Sequence, residues 1–263
     1  MAFLEGQGLR SYQFESLEGL GLSHGIFTRQ GGVSPQPWAS LNLGGTVGDE
    51  RSHVVENRRR IFDFAGRAVE SIFDAWQVHG THVICSRSPR PLESPHIQAD
   101  AILTDLPEIT LFMRFADCVP ILVHDPVRRI AGIIHAGWKG TLARIAAITI
   151  QKMQAEYGSN PADILAGIGP SICQDEYEIG AEVAGKTRDV FPEDTSRVLV
   201  EHDRRLFLDL WSANRIILEE SGLLPGHIQV SGICTAQNLQ DWYSHRAEKG
   251  RTGRFGAYIA LKA

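Results

Sequence analysis

Residues 110–115, 120–124 and 129–135 are apolar runs of strand length that follow one another with only short polar breaks. No other feature constrains the chain as much, because three such runs in succession do not fit a regular strand–helix–strand repeat and point to mixed layers. A helix is expected next. Thr141 is read as its N-cap, Leu142, Ile145, Thr149 and Met153 recur at helical spacing as far as Tyr157, and Gly158 supplies the stop. Further strands are expected over 164–169 and 228–234, with an amphipathic helix over 209–221 ending at Gly222. An early helix over 49–65 carries Val54, Arg58, Ile61 and Ala65 on one face. The expected class is α/β (α+β layered), with mixed sheets flanked by helices. Residues 86–95 hold three prolines and read as a surface loop, and 192–205 as a second polar excursion. Neither divides the chain, so 1–263 is read as one domain.

With 263 residues, 43% of them hydrophobic, the chain can bury a sizeable core. Its 26 Lys and Arg against 31 Asp and Glu give a formal charge of −5. That balance argues against binding a nucleic-acid backbone, though not against a small pocket for one anion. The longest apolar runs, 119–123 and 145–150, fall far short of the roughly 20 residues of a membrane span. Residues 1–10 carry Glu5 and lack the pattern of a secretory leader. Cys85, Cys118, Cys173 and Cys234 are scattered, unlike a disulfide scaffold. A cytoplasmic protein is expected, without nucleic-acid or membrane partners, and a monomer or weak dimer fits equally.

Three segments place a metal-ligand residue type beside a tight turn: Gln77-Val78-His79-Gly80, Ala116-Asp117-Cys118-Val119-Pro120 and His135-Ala136-Gly137-Trp138-Lys139-Gly140. Two imidazoles and a thiolate make a His₂Cys set for zinc, with a fourth position left for water or substrate. The wide spacing does not single out that reading. Cys118 also fits a small buried hydrophobe, and the histidines fit ordinary hydrogen-bonded strand ends. A third reading makes Cys118 a nucleophile with His135 as its base.

Taken together and in order, these segments resemble the laccase-domain (polyphenol oxidoreductase-like) purine nucleoside phosphorylase family, which includes the peptidoglycan editing factors. The resemblance extends from the segment 24–34 and Ser40-Leu41-Asn42-Leu43-Gly44, through Val47-Gly48-Asp49 and Glu56-Asn57-Arg58, to Gly167-Ile168-Gly169-Pro170, Cys234-Thr235, Tyr243-Ser244-His245-Arg246 and Thr252-Gly253-Arg254. It implies one zinc on His79, Cys118 and His135, and a single domain resembling the catalytic domain of cytotoxic necrotizing factor. The implied activities are phosphorolysis of adenosine, inosine and methylthioadenosine, with adenosine deamination alongside. Two alternatives come with the family: removal of misincorporated L-Ser from a UDP-MurNAc peptidoglycan precursor, and copper-dependent polyphenol oxidation. The chain departs from the family at Ser171-Ile172-Cys173, which keeps one cysteine, and at Tyr243-Ser244-His245-Arg246. Both departures bear on substrate preference.

An open-sided zinc polarises a bound group or brings bound water toward neutral pKa, which suits deamination. Asp117, beside Cys118, is the candidate proton shuttle, or else an orienter of the ligands. Phosphate needs cations. Arg29, Arg58 and Lys139 are the candidates, with Asn42 as a neutral contact. Arg58 stands out because its place on an apolar face is costly unless it snorkels or reaches a buried anion. The turn after His135 opens a helix, whose free N–H groups favour an anion. Trp138 fits a purine stack and a core wedge equally. Copper oxidation is the weaker reading. Laccase chemistry uses several coppers on many His, including His-x-His pairs, and the chain has none. A single His₂Cys site still accepts Cu²⁺, which outranks Zn²⁺ in intrinsic affinity.

Overall fold

The three successive apolar runs all form strands, but they do not share one sheet. In the computed structural model, which describes residues 3–263, Thr110–Phe115 lies in a first six-stranded sheet, whereas Val119–Asp125 and Ile130–Ala136 pair antiparallel in a second. Met1 and Ala2, at the head of the segment read for a leader, lie outside the described residues. The chain therefore crosses from sheet to sheet between Phe115 and Val119, and Cys118 sits in that crossing.

The first sheet runs Phe3–Gly6, Leu9–Tyr12, Leu22–Phe27, Phe255–Leu261, Thr110–Phe115, Ile72–Asp74. The second runs Ile228–Val230, Leu165–Ile168, Val119–Asp125, Ile130–Ala136, Ala101–Thr104, Val83–Cys85. Both are mixed, each with antiparallel pairs in the middle and parallel partners at an edge. Period-two alternation separates their faces. Leu122 and Ile133 of the second sheet meet Leu111, Met113, Ala257 and Ile259 of the first in one buried cluster. Ile121 and Ile134 point the other way, into a cluster with Ile145, Ile150, Ile216 and Ile217 of the helices Ile145–Tyr157 and Leu210–Glu220. On the far side, Phe112 and Tyr258 pack with Ile61 and Phe62 of the helix Arg51–Ala65. The layers are thus helix, sheet, sheet, helix, in keeping with the mixed, layered class expected from the sequence.

Several expectations need correction. Thr141 is not an N-cap. It lies inside a short helix, Trp138–Leu142, whose N-cap is Gly137, and the chain breaks at Arg144 (φ 62°) before Ile145–Tyr157 begins. Its hydroxyl is buried and accepts from Asn214 Nδ2 at 3.0 Å, so a core hydrogen bond accounts for the residue. Gly158 does end the helix in the left-handed conformation. The strand expected over 228–234 stops at Val230. Residues 86–95 are not simply surface, because Arg90 is buried against Asp74. The excursion over 192–205 contains the helix Thr195–Val198 and the strand Leu199–His202, which joins Arg205–Leu208 and Glu178–Ile179 in a small third sheet. No helix among the described residues is long and apolar enough to cross a membrane.

Candidate metal and substrate site

Each of the three segments brings its ligand in from a different structural device. His79 stands in a turn in the left-handed conformation (φ 58°), Cys118 follows Asp117 (φ 80°) in the crossing between sheets, and His135 lies near the end of the strand Ile130–Ala136. Their ligand atoms lie within 4.8 Å of one another, with Cys118 Sγ 3.7 Å from His79 Nε2. Tetrahedral zinc with Zn–N near 2.0–2.1 Å and Zn–S near 2.3 Å separates its ligand atoms by about 3.4–3.7 Å. The donor set fits one such ion, and the Cys118 Sγ–His79 Nε2 pair stands at that separation. Gly137 keeps the space open: a Cβ there would stand 2.8 Å from Cys118 Sγ and 2.9 Å from His79 Cδ2.

Charge at the cluster favours the Cys118 thiolate and the His135 cation as a pair, so a metal must displace the second imidazole proton. Burial opposes ionisation of Cys118, but His135 and His79 beside it bring the thiol down to about 6. Burial likewise disfavours the His135 cation, while Cys118 and Asp100 raise that imidazole to about 9. Asp100 is fully buried. It accepts from His135 Nδ1 at 2.8 Å and from the amides of Gly80, His79 and Val78 at 2.7, 3.0 and 3.2 Å. Burial opposes its ionisation too, yet the His135 and Gly80 bonds hold it below the usual carboxylate range.

The cluster opens into a cavity of about 700 Å³. Its wall carries Arg58, Arg114 and His96, gathered round Asp74, together with Lys139, Arg246 and Arg254. Asp74 has no exposed side-chain surface. Arg90 Nε and Nη2 donate to its Oδ1, both at 2.8 Å. Arg114 Nη1 reaches Oδ2 at 2.6 Å, His96 Nε2 lies 3.0 Å from the same oxygen, and Arg58 Nη1 stands 3.8 Å away. Burial works against the Asp74 anion, but His96, Arg114 and Arg58 hold it well below the carboxylate range. Arg58 is the least satisfied member: burial, then the neighbouring Arg114, lowers it to about 10, and its buried Nε has no partner among the described residues.

The structure separates the residues singled out in the sequence. His79, Cys118, His135, Asp117, Arg58 and Lys139 all line the cavity. Asp117 is tied at both oxygens, accepting from Thr235 Oγ1 at 2.7 Å and from the Arg246 amide at 2.6 Å, which suits an anchor better than a free shuttle. Arg29 and Asn42 lie behind the wall. The Arg29 guanidinium donates to the carbonyls of Ala39 and Leu239 (2.9 Å each) and to Glu248 (3.1 Å), and it stacks over Tyr243. Asn42 accepts from the amides of Gly44 and Arg254, so it shapes the wall that those two residues line. Asp100, Asp74, Arg114 and His96 escaped the sequence reading. Only Arg114, a charge inside an apolar strand, carried a signal that could have found it.

A family model described as multi-copper polyphenol oxidoreductase laccase matches residues 23–262. A purine nucleoside phosphorylase of Deinococcus radiodurans is 39% identical over 242 residues, covering 92% of this chain and 90% of that protein. Purine nucleoside phosphorylase YlmD of Bacillus subtilis is 36% identical, covering 90% and 88%. The crystal structure of YlmD from Geobacillus stearothermophilus superposes with a TM-score of 0.93 at 33% identity, over 100% of this chain and 99% of that one. Matches of this extent, over the residues that build the site, show that the chain belongs to the laccase-domain family whose members include proteins named purine nucleoside phosphorylase.

Proposed function

We propose that the protein is a zinc-dependent purine nucleoside enzyme, which phosphorolyses adenosine, inosine and methylthioadenosine and deaminates adenosine. The observation that carries this reading is the joining, in one cavity, of a three-donor metal cluster and a surplus of buried positive charge. Relatives named purine nucleoside phosphorylase along nearly the whole chain support it.

Zinc would be held by His79 Nε2, Cys118 Sγ and His135 Nε2. When bound, it supplies a Lewis acid with an open position, which polarises a substrate atom or acidifies water. The arginines do the rest of the binding. Arg58 and Arg114, with His96, hold phosphate, their planar guanidiniums matching its oxygens in a way a lysine does not. Lys139 adds a point charge. In phosphorolysis a phosphate oxygen forms a bond to C1′ of the ribose as the C1′–N9 bond breaks. The proton of hydrogenphosphate ends on the departing purine. Holding the phosphate against the ribose supplies the positioning on which such a displacement depends. Trp76 and Trp138, both lining the cavity, offer flat apolar faces to the base.

The test is direct. Metal-replete protein given inosine and phosphate is expected to release hypoxanthine and ribose 1-phosphate, and given adenosine alone to release inosine and ammonia. No turnover in either assay removes the proposal. Metal analysis of the same sample decides between zinc and copper, because a His₂Cys set accepts both. Phenol oxidation that rises with copper content would favour the family's other name.

A further inference from the structure

Asp100 connects the two histidines, which lie far apart in sequence. Its carboxylate accepts from three consecutive amides, those of Val78, His79 and Gly80, and from His135 Nδ1. Its backbone is tied into the same region, the carbonyl accepting from the His135 amide at 2.7 Å and the amide donating to the His82 carbonyl at 3.1 Å. A residue other than glycine in the left-handed conformation costs on the order of 1 kcal/mol and persists where the surroundings over-determine it. His79 is such a residue, and the bonds from its own amide and its two neighbours to Asp100 are what over-determine it.

We propose that Asp100 is the positioning residue of the metal centre, which sets the backbone of His79 and the ring of His135 from a single buried carboxylate. The proposal rests on the His₂Cys reading of the site. An ionised carboxylate only accepts, so His135 Nδ1 carries the proton and Nε2 is left as the ligand atom. A bond of this kind from a ligand histidine to a carboxylate fixes ring orientation and raises ligand basicity. Here the same carboxylate also shapes the turn that presents the second histidine, so the two ligands are placed together. Asparagine at position 100 would keep the shape and lose the function. One of its two groups is an NH₂ aimed at N–H donors, leaving part of the set unpaired.

The experiment measures zinc affinity by chelator competition and the visible spectrum of the cobalt-substituted protein, for wild type and Asp100→Asn. The expected result is a 10- to 100-fold loss of zinc affinity, with cobalt bands shifted or broadened as the tetrahedral field relaxes. Far-ultraviolet circular dichroism of the metal-free chains is expected to agree. Should Asp100→Asn fail to fold, Asp100→Ser takes its place, since a hydroxyl satisfies at most part of the four donors. A readout on the wild type alone avoids the variant: ¹⁵N–¹H correlation of the zinc-loaded protein is expected to show His135 protonated on Nδ1. Variant affinity within about threefold of wild type with an unchanged cobalt spectrum, or the opposite tautomer, overturns the role of Asp100. A wild type that takes up no zinc overturns the metal reading beneath it, so the two failures are told apart.

Discussion

Two buried carboxylates stand behind the cavity wall, Asp100 beneath the candidate ligand histidines and Asp74 beneath the arginines, and their surroundings differ in kind. Asp100 accepts from three neutral amides and one imidazole. Asp74 has three guanidiniums and an imidazole within 3.8 Å. Three of the four donors to Asp100 are neutral amides and its imidazole is matched by the carboxylate itself, so the Asp100 bonds act as geometry. The Asp74 side keeps more positive than negative charge out of water. Like charges a few ångströms apart at an effective dielectric near 20 repel by a few kcal/mol. A pocket left in that condition is one that an anion relieves. One carboxylate thus holds side chains still, and the other stands amid a surplus of positive charge.

The largest effect tests the Asp100 side. Cys118→Ala removes the only sulfur of the cluster and trims a single atom from the edge of the core between the sheets, against which Cys118 packs. Turnover is expected to fall at least about 10³-fold, equivalent to about 4 kcal/mol of transition-state stabilisation. Bound metal is expected to fall below one per chain, while the melting temperature of the metal-free protein stays where it was. Metal analysis and thermal unfolding on one preparation check this. Collapse of the fold together with metal loss would make the site structural, and the contrast between the two sides would disappear.

How much of this was legible beforehand depends on the kind of signal. The strands near 110–115, 120–124, 129–135 and 164–169 were readable as apolar runs, and the helices Arg51–Ala65 and Leu210–Glu220 by an apolar face of local period, whereas Phe3–Gly6, Leu9–Tyr12, Leu22–Phe27 and Phe255–Leu261 of the first sheet were not read. The break at Arg144 was not, since Ile145, Thr149 and Met153 keep helical spacing whether or not the turn before them is continuous. In the site, His79, Cys118 and His135 were found through ordered motifs, those of the two histidines carrying glycines. Gly137 shows why those glycines matter, as a side chain there would meet the sulfur. Arg58 was found because a charge on an apolar helix face needs a reason. Asp100 and Asp74 belong to no periodic pattern. Their meaning lies in partners 16 to 40 residues away, joined only when strands from different parts of the chain align. Arg29 shows the opposite error: it lies next to matched motif residues, but its guanidinium is consumed by carbonyls and Glu248.

A smaller effect tests the Asp74 side. Arg58→Gln keeps length and polarity but removes the least satisfied cation. The Michaelis constant for phosphate is expected to rise about 30-fold, worth about 2 kcal/mol of binding, while that for inosine moves less than threefold. Stability of the ligand-free protein is expected to hold or rise slightly, because the variant no longer buries a charge whose burial and Arg114 neighbour both work against it. Steady-state kinetics at varied phosphate, with chemical denaturation alongside, separate the two effects. An unchanged phosphate constant would move the anion to the other cations of the cavity, Lys139, Arg246 and Arg254. A marked loss of stability would mean that Arg58 serves Asp74 rather than a ligand.

The smallest effect calibrates any acid titration of the two carboxylates, since a third buried group loses stability over a neighbouring range. His24 accepts the Phe14 amide on Nε2 at 2.9 Å, and burial above all lowers it to about 4. The folded protein thus resists protonating a ring that the unfolded chain protonates near 6.5. Between those values the unfolded state binds more protons, so stability falls as pH drops from about 6.5 and stops falling on this account below about 4. The loss at pH 5.5 is expected to be about 1.4 kcal/mol. His24→Asn is expected to flatten the stability profile in that window while leaving the steeper decline below pH 4. That decline belongs to carboxylates held low in the native state, as Asp74 and Asp100 are. Denaturant unfolding from pH 7 to pH 3.5 measures both limbs. A profile of the variant that still slopes between pH 6.5 and 4 would assign the upper limb to another group, and would require the carboxylate limb to be separated afresh before the two sides are compared by pH.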